Sequence, residues 1–184
     1  MLSEYLQLAQ NAIWQLLDFM YSGGYVLWSI FFLNIVLWML VVERHWFFRY
    51  NFPLLAEQKL RPWQERKEHQ SWYAKSIKTM ILAKLHSRLN QHLSTIHVSV
   101  ELLPILGLLG TVIGMIETFE ILNLYGTGNA RALAASISKA LITTLAGLLS
   151  AIPGLFMSSL LQQQAEQKML QVTDKMTDQE SDQK

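Results

Sequence analysis

Three stretches of the chain are apolar and carry no charged residue. The first, SGGYVLWSIFFLNIVLWMLVV over residues 22–42, contains no Asp, Glu, Lys, Arg or His. A helix of about 20 such residues is long enough to cross a hydrocarbon layer about 30 Å thick. The second stretch covers residues 102–116 and the third covers residues 140–164. The pattern therefore predicts an all-α integral membrane protein with three transmembrane helices.

Charged and turn-forming residues set the limits of these spans. Glu43 and Arg44 follow the first stretch, and Gly126, Gly128 and Asn129 lie between the second and the third, where such residues favour a turn. The predicted segments are an interfacial amphipathic helix over 1–21, spans over 22–43, 98–124 and 132–161, a turn over 125–131, a helical segment over 44–97, and a C-terminal helix and tail over 162–184.

Apolar periodicity extends beyond the second and third spans. From Trp72 to Val100, apolar residues recur every three to four positions, which predicts one helix that continues into the second span. A similar stripe over 161–176 extends the third span towards the C-terminus. Pro53 and Pro62 predict breaks earlier in the 44–97 segment. We therefore expect long helical extensions on one side of the membrane.

The basic residues predict which side this is. The first 21 residues contain no Lys or Arg, and the turn contains only Arg131. Positive residues favour the cytoplasm, which places the 44–97 and 162–184 segments inside and the N-terminus and the turn in the periplasm. The 1–21 segment also lacks the basic start and apolar core of a secretory signal, so we expect it to lie along the outer interface. The basic residues of the cytoplasmic segment are Arg44, Arg49, Lys59, Arg61, Arg66, Lys67, Lys75, Lys78, Lys84 and Arg88.

Composition argues against several classes of site. The chain has no cysteine, which excludes disulfides, thiolate nucleophiles and cysteine-ligated metals. The spacing of His86, His92 and His97 does not place two ligands on one helix face, so we expect no metal and no cofactor. The aromatic and glycine-rich modules of RNA-binding proteins are missing, so we expect no nucleic acid partner.

An enzymatic function is also disfavoured. An intramembrane hydrolase would need a base to activate a serine nucleophile. The serines in the spans include Ser136, Ser150 and Ser158, but no His or Asp lies within any span. We therefore predict that the chain is not an enzyme.

The second and third spans each carry a stripe of small residues. Small residues let helices approach closely in lipid, so simple helix packing is one interpretation. Thr111, Thr143 and Thr144 lie in the same spans, and a threonine hydroxyl in a membrane helix commonly bonds a carbonyl one turn back. The alternative is that these hydroxyls line a polar path. The predicted packing residues are Pro104, Gly107, Gly110, Gly114, Gly147, Pro153 and Gly154.

The segments LLPILGLLGTVIGMIETF and ISKALITTLAGLLSAIPG resemble the paired motifs of the MotA/TolQ/ExbB proton channel family, most closely a short ExbB of a TonB2-type system. The likeness is strongest over residues 101–156 and includes the three-span plan. It implies a subunit of a homopentamer in the bacterial inner membrane that surrounds an ExbD-like single-span partner with a membrane aspartate. Such a motor uses the proton motive force to energise a TonB-like protein for receptor-dependent uptake across the outer membrane.

The same resemblance implies roles for individual residues. Thr111 and Thr144 fall on the pore threonines of the family and, with Thr143, would line the proton pathway and face the partner's aspartate. Lys139 departs from the family, because ExbB and TolQ proteins usually carry a glutamate before the ALxxT stretch. The protonatable acid would then come chiefly from the partner. A TolQ-like subunit and a non-conducting membrane scaffold remain as alternatives.

Helix geometry suggests a partner for Lys139. If Thr111 and Thr144 lie at one depth, the helical rise puts Glu117 roughly 9 Å and Lys139 roughly 7.5 Å outward of them. An unpaired charge at that level is costly. We therefore predict that Lys139 pairs with Glu117, or less favourably with Glu120, at the outer mouth of the pore. The alternative is that Lys139 extends alone to the membrane interface.

Overall fold

Helices make up the regular structure of the described part of the chain. The computed structural model describes residues 7, 10, 11, 14, 19–21, 23–64, 71–126 and 129–181. The predicted interfacial helix over 1–21 thus lies largely outside the described residues. The elements are α1 (Gly24–Trp46), a π-helical segment (Phe47–Asn51), α2 (Phe52–Gln64), α3 (Trp72–Asn90), α4 (Leu93–Tyr125) and α5 (Ala130–Ser181).

Three helical segments within these residues are long and apolar enough to cross a membrane. They are Gly24–Arg61, Trp72–Tyr125 and Ala130–Thr177. In their most apolar parts only 22%, 33% and 28% of the residues are buried within the chain. Apolar surface of this extent needs lipid or other protein chains to cover it. The all-α prediction with three apolar helices is confirmed, and the chain is a multi-pass membrane protein.

The helix predicted from Trp72 into the second span is interrupted. Helix α3 ends at Asn90 and α4 begins at Leu93, and between them His92 has a φ of 64°. This left-handed conformation is unfavourable for a residue with a Cβ and does not continue a right-handed helix. The prediction of one continuous helix is wrong at this point, because the apolar repeat passes through the turn unchanged.

The predicted proline breaks are also wrong. Helix α2 includes both Pro53 and Pro62. Pro53 lies two residues after the π-helical segment, and the chain stays helical from Gly24 to Gln64. The irregularity before α2 is a π-helical segment, Phe47–Asn51, in which the N–H of Phe52 donates to the carbonyl of Phe47.

The chain divides into two compact units. Unit 1 comprises Met1–Leu37 and Ser99–Gly154, and unit 2 comprises Trp38–Val98 and Leu155–Lys184. The core of unit 1 combines α1, α4 and α5. Its buried apolar residues include Val26, Leu27, Ile30, Leu37, Val100, Leu103, Ala140 and Ala151.

Unit 2 has an apolar core that includes aromatic residues. It takes residues from the π-helical segment, from α2 and α3, and from the portions of α1, α4 and α5 that belong to this unit. The ammonium nitrogen of Lys168 lies over the Phe52 ring, 5.5 Å from its centroid, in a cation–π contact. The buried apolar residues of unit 2 include Val41, Phe48, Phe52, Leu60, Trp63, Ala74, Ile81, Leu85, Leu89, Ile96, Leu161, Ala165, Val172 and Met176.

Unit 2 also buries one arginine. Arg44 is 2% exposed, and its guanidinium donates to the carbonyls of Arg88 and Leu89 at the end of α3. Its Cζ atom lies 4.5 and 4.9 Å from the ring centroids of Phe47 and Phe48. The last carbonyls of a helix have no partner within that helix and carry a partial negative charge. Arg44 therefore caps α3 immediately before the turn that leads to α4.

Candidate functional site

The candidate site lies in unit 1, where α4 and α5 approach each other at backbone level. A Cβ atom added at Gly107 would lie 3.2 Å from Thr144 Cα, and one at Gly147 would lie 2.7 Å from the Leu103 carbonyl oxygen. At Gly114 the added atom would lie 2.5 Å from the Cβ of Ala140. These distances leave no room for a side chain at Gly147 or Gly114 and only a tight fit at Gly107. Small residues allow such contact in lipid, where dispersion drives helix association.

Thr143 lies in the contact surface between these two helices. Its side chain is 1% exposed, and its Oγ1 donates to the Ala140 carbonyl at 2.8 Å. The side chain also fills the space beside Gly110, where an added Cβ would overlap it. In the single chain, Thr143 thus fills a packing position. The proton-pathway role expected of Thr143 stays a prediction.

Thr144 lies next to Thr143 but makes a different bond. Its Oγ1 donates to the Gly107 carbonyl at 3.0 Å, so that the hydroxyl joins α5 to α4. Thr111 instead donates to the Leu108 carbonyl of its own helix at 2.6 Å. Both threonines are half-buried. A hydroxyl whose hydrogen is engaged in this way still has lone pairs, so each can accept a hydrogen bond from a protonated group or from water.

The structure brings Lys139 and Glu117 together across the same pair of helices. Lys139 Nζ lies 2.7 Å from Glu117 Oε1 and 2.9 Å from Oε2, and the two side chains are 32% and 36% exposed. Glu120, the alternative acceptor, is exposed. Helix α1 helps to position the lysine, because a Cβ at Gly24 would lie 2.8 Å from Lys139 Cε. The location of this pair at the mouth of a pore stays a prediction.

The other predicted packing residues lie in varied surroundings. Gly154 packs closely, since a Cβ there would lie 2.9 Å from a methyl of Val100 and 3.0 Å from a methyl of Leu37. Pro104 is half-buried and Pro153 is exposed. A packing role for Pro153 is therefore not seen within the single chain.

Two contacts of this site were not predicted from the sequence. One is the bond from Thr144 to the Gly107 carbonyl, and the other is the contact between Gly24 and Lys139. The Gly-Gly pair at the start of the first span was the sequence signal for the contact between Gly24 and Lys139. In the structure Gly24 has a φ of 65°, a conformation that favours glycine. Within the described ranges, no group of three or more His, Asp or Glu residues could hold a metal ion.

Comparison with known proteins agrees with the resemblance of the two motifs. The model of the MotA/TolQ/ExbB proton channel family matches residues 53–174. The chain is 45% identical over 73 residues to a putative biopolymer transport protein ExbB-like 1 of Synechocystis sp., which is 38% of this chain and 29% of that protein. It is 48% identical over 50 residues to a protein of the same description from Helicobacter pylori, which is 27% of this chain and 26% of that protein.

A third relative matches over a longer stretch. The chain is 33% identical over 88 residues to the biopolymer transport protein ExbB of Aquifex aeolicus, which is 48% of this chain and 60% of that protein. The matched stretches thus span less than two thirds of each of these relatives. The family match, by contrast, covers more than half of the chain and includes the whole contact between α4 and α5. The chain therefore belongs to the MotA/TolQ/ExbB proton channel family.

Proposed function

We propose that this chain is an ExbB-like subunit of a proton-driven motor in the bacterial inner membrane. It assembles as a homopentamer around an ExbD-like single-span partner and uses the proton motive force to energise a TonB-like protein for receptor-dependent uptake. The N-terminus lies in the periplasm, and the basic 44–97 segment lies in the cytoplasm. The proposal depends chiefly on one observation. The half-buried hydroxyls of Thr111 and Thr144 each donate their hydrogen to a backbone carbonyl.

These hydroxyls suit a protonated carboxyl group on another chain. Thr144 and Thr111 each donate to a backbone carbonyl and retain free acceptor positions. A protonated aspartate of the partner would donate to such an oxygen, and loss of its proton would end that bond. The threonines therefore favour one protonation state of the partner without carrying the proton alone.

Among the described residues of α4 and α5, Glu117 is the acidic residue nearest in sequence to the two threonines. Both oxygens of Glu117 are engaged by Lys139. Without the Glu117 carboxylate, Lys139 would be an unpaired charge, which is costly within a span. This pairing supports the proposal that the proton-carrying acid comes from the partner.

The assembly test is co-expression of the full chain with an ExbD-like single-span protein. Intact-complex mass measurement should give a complex that contains both proteins. Vesicles that contain this complex should pass protons when energised. A chain that does not associate with the partner would refute the motor proposal, whereas a complex that passes no protons would favour the alternative of a non-conducting scaffold.

The residue test compares two substitutions at one position. Thr144→Val removes the hydroxyl with little change in size, and Thr144→Ser retains it. We expect Thr144→Val to preserve assembly and to lower proton flux, and Thr144→Ser to keep both. Thr111→Val should lower proton flux in the same way. If both valine variants retain full flux, the threonines have no part in conduction.

A further inference from the structure

A groove with a volume of about 510 Å³ lies in unit 2, between the α1 and π-helical residues of that unit and residues 157–164 of α5. This volume lies within the range of about 300–1,000 Å³ that is usual for sites that bind small molecules. The wall of the groove is apolar and includes Trp38, Val42, Met157 and Leu161. It is therefore suited to a hydrocarbon chain.

One end of the groove is polar and basic. Arg49, His45 and Gln164 line this end, and Arg49 is exposed. No ion pair is recorded for Arg49 within the described ranges, and no Asp or Glu lines the groove. The guanidinium presents five donors in a planar fork that matches the oxygens of a phosphate group. This end is therefore complementary to an anion.

The position of the groove along the first span agrees with an apolar wall and a basic end. The uncharged run of the first span ends at Val42, so Trp38 lies at the level of the hydrocarbon and Arg49 lies beyond it. Trp46 and Tyr50, whose ring centroids lie 5.5 Å apart, flank the basic end. Tryptophan and tyrosine are typical of the headgroup layer of a membrane. The apolar wall and the basic end thus lie at the depths of an acyl chain and of its headgroup.

We propose that this groove binds one anionic phospholipid. The phosphate lies against Arg49, and an acyl chain lies along Trp38 and Leu161. Basic pockets beside membrane helices bind anionic headgroups in this way. The inference requires only that the chain is embedded in a membrane, and it does not depend on the proposed motor function.

The test is native mass spectrometry of the full-length protein in mild detergent. The protein is titrated separately with phosphatidylglycerol and with phosphatidylcholine that carries the same acyl chains. We expect about fivefold tighter retention of phosphatidylglycerol, since one basic residue near anionic lipid contributes ~1 kcal/mol. Arg49→Gln should remove this preference, and Arg49→Lys should retain most of it. Lys59→Gln, which removes an exposed charge on α2, is the matched control and should retain the full preference.

A second variant tests the apolar wall. Met157→Trp narrows the groove and should lower the retention of both lipids without changing the preference between them. The proposal is wrong if the unmodified protein retains both lipids equally, or if Arg49→Gln binds phosphatidylglycerol as well as the unmodified protein does. It is also wrong if Arg49→Gln changes only the oligomer mass, because the groove is then an interface between copies of this chain.

Discussion

Gly147→Ala should weaken the contact between α4 and α5 more than the same change at Gly107. Both glycines lie where the two helices meet, and both substitutions add a single methyl group. At Gly147 the new Cβ would lie 2.7 Å from the Leu103 carbonyl oxygen, and at Gly107 it would lie 3.2 Å from Thr144 Cα. The distance at Gly147 is about 0.7 Å shorter than an ordinary van der Waals contact of 3.4 Å, and the distance at Gly107 is about 0.2 Å shorter.

The atoms that the new methyl group meets determine the size of the effect. At both positions they belong to the backbone, so they can yield only if the helices separate. A gap of about 0.5–1 Å loses roughly a quarter to a half of each dispersion contact, and overpacking costs about 1–3 kcal/mol. The higher helix propensity of alanine offsets up to about 1 kcal/mol at either position. We expect Gly147→Ala to lower the free energy of unfolding by about 1–2 kcal/mol and Gly107→Ala to change it by less than about 1 kcal/mol.

The measurement is reversible unfolding in mixed micelles with an increasing fraction of sodium dodecyl sulfate, followed by circular dichroism. Gly147→Ala should unfold at a lower detergent fraction than Gly107→Ala. The reasoning is refuted if Gly107→Ala has the larger effect or if Gly147→Ala unfolds together with the unmodified protein. Either result would mean that the backbone separation at Gly147 does not limit the packing of the two helices.

The same unfolding assay checks three further predictions. Glu117→Gln and Lys139→Met should each lower the free energy of unfolding. Because the pair is only partly exposed, the loss in the double variant should be about 0.5–1 kcal/mol smaller than the sum of the two single losses. Fully additive losses would contradict the pairing. Arg44→Met should lower the free energy of unfolding by about 1.5–3 kcal/mol and accelerate amide exchange at the end of α3. Lys84→Met, at an exposed position, is the control and should change both quantities little. Equal effects of the two substitutions would contradict the capping role of Arg44. His92→Gly should raise the free energy of unfolding by up to about 1 kcal/mol because it relieves the left-handed strain. Unfolding at a lower detergent fraction than that of the unmodified protein would contradict this.

The helices of the spans could be predicted because lipid imposes a strong requirement on sequence. A spanning segment must satisfy its backbone hydrogen bonds internally and must present apolar side chains over its whole length. The run over 22–42 meets this requirement, and α1 covers Gly24–Trp46. The turn at His92 could not be predicted in this way. Side-chain periodicity reports which face is buried, whereas the turn depends on a single backbone angle.

The candidate site was predictable at the level of residue types. The small-residue stripes predicted close packing, and Gly107 and Gly147 lie at backbone contacts. The roles of Thr143 and Thr144 could not be separated from the sequence. Successive helical residues point about 100° apart, so one of the two threonines fills the contact surface and the other reaches the Gly107 carbonyl. The rotation of one helix against the other determines which of the two threonines fills the contact surface and which one bonds the carbonyl.

The lysine at position 139 changes what the proposed motor requires of its partner. A family member with a glutamate at this level has an acid of its own beside the threonines. In this chain the residue is a lysine, and its ion pair engages Glu117 on the neighbouring helix. Beyond that pair, towards the N-terminus of α4, the α4–α5 contact includes glycines, alanines, threonines and backbone carbonyls, none of which exchanges a proton readily near neutral pH. The motor proposed above accordingly takes its proton-carrying carboxyl group from another chain, and in that proposal the threonines accept the hydrogen bond of that group.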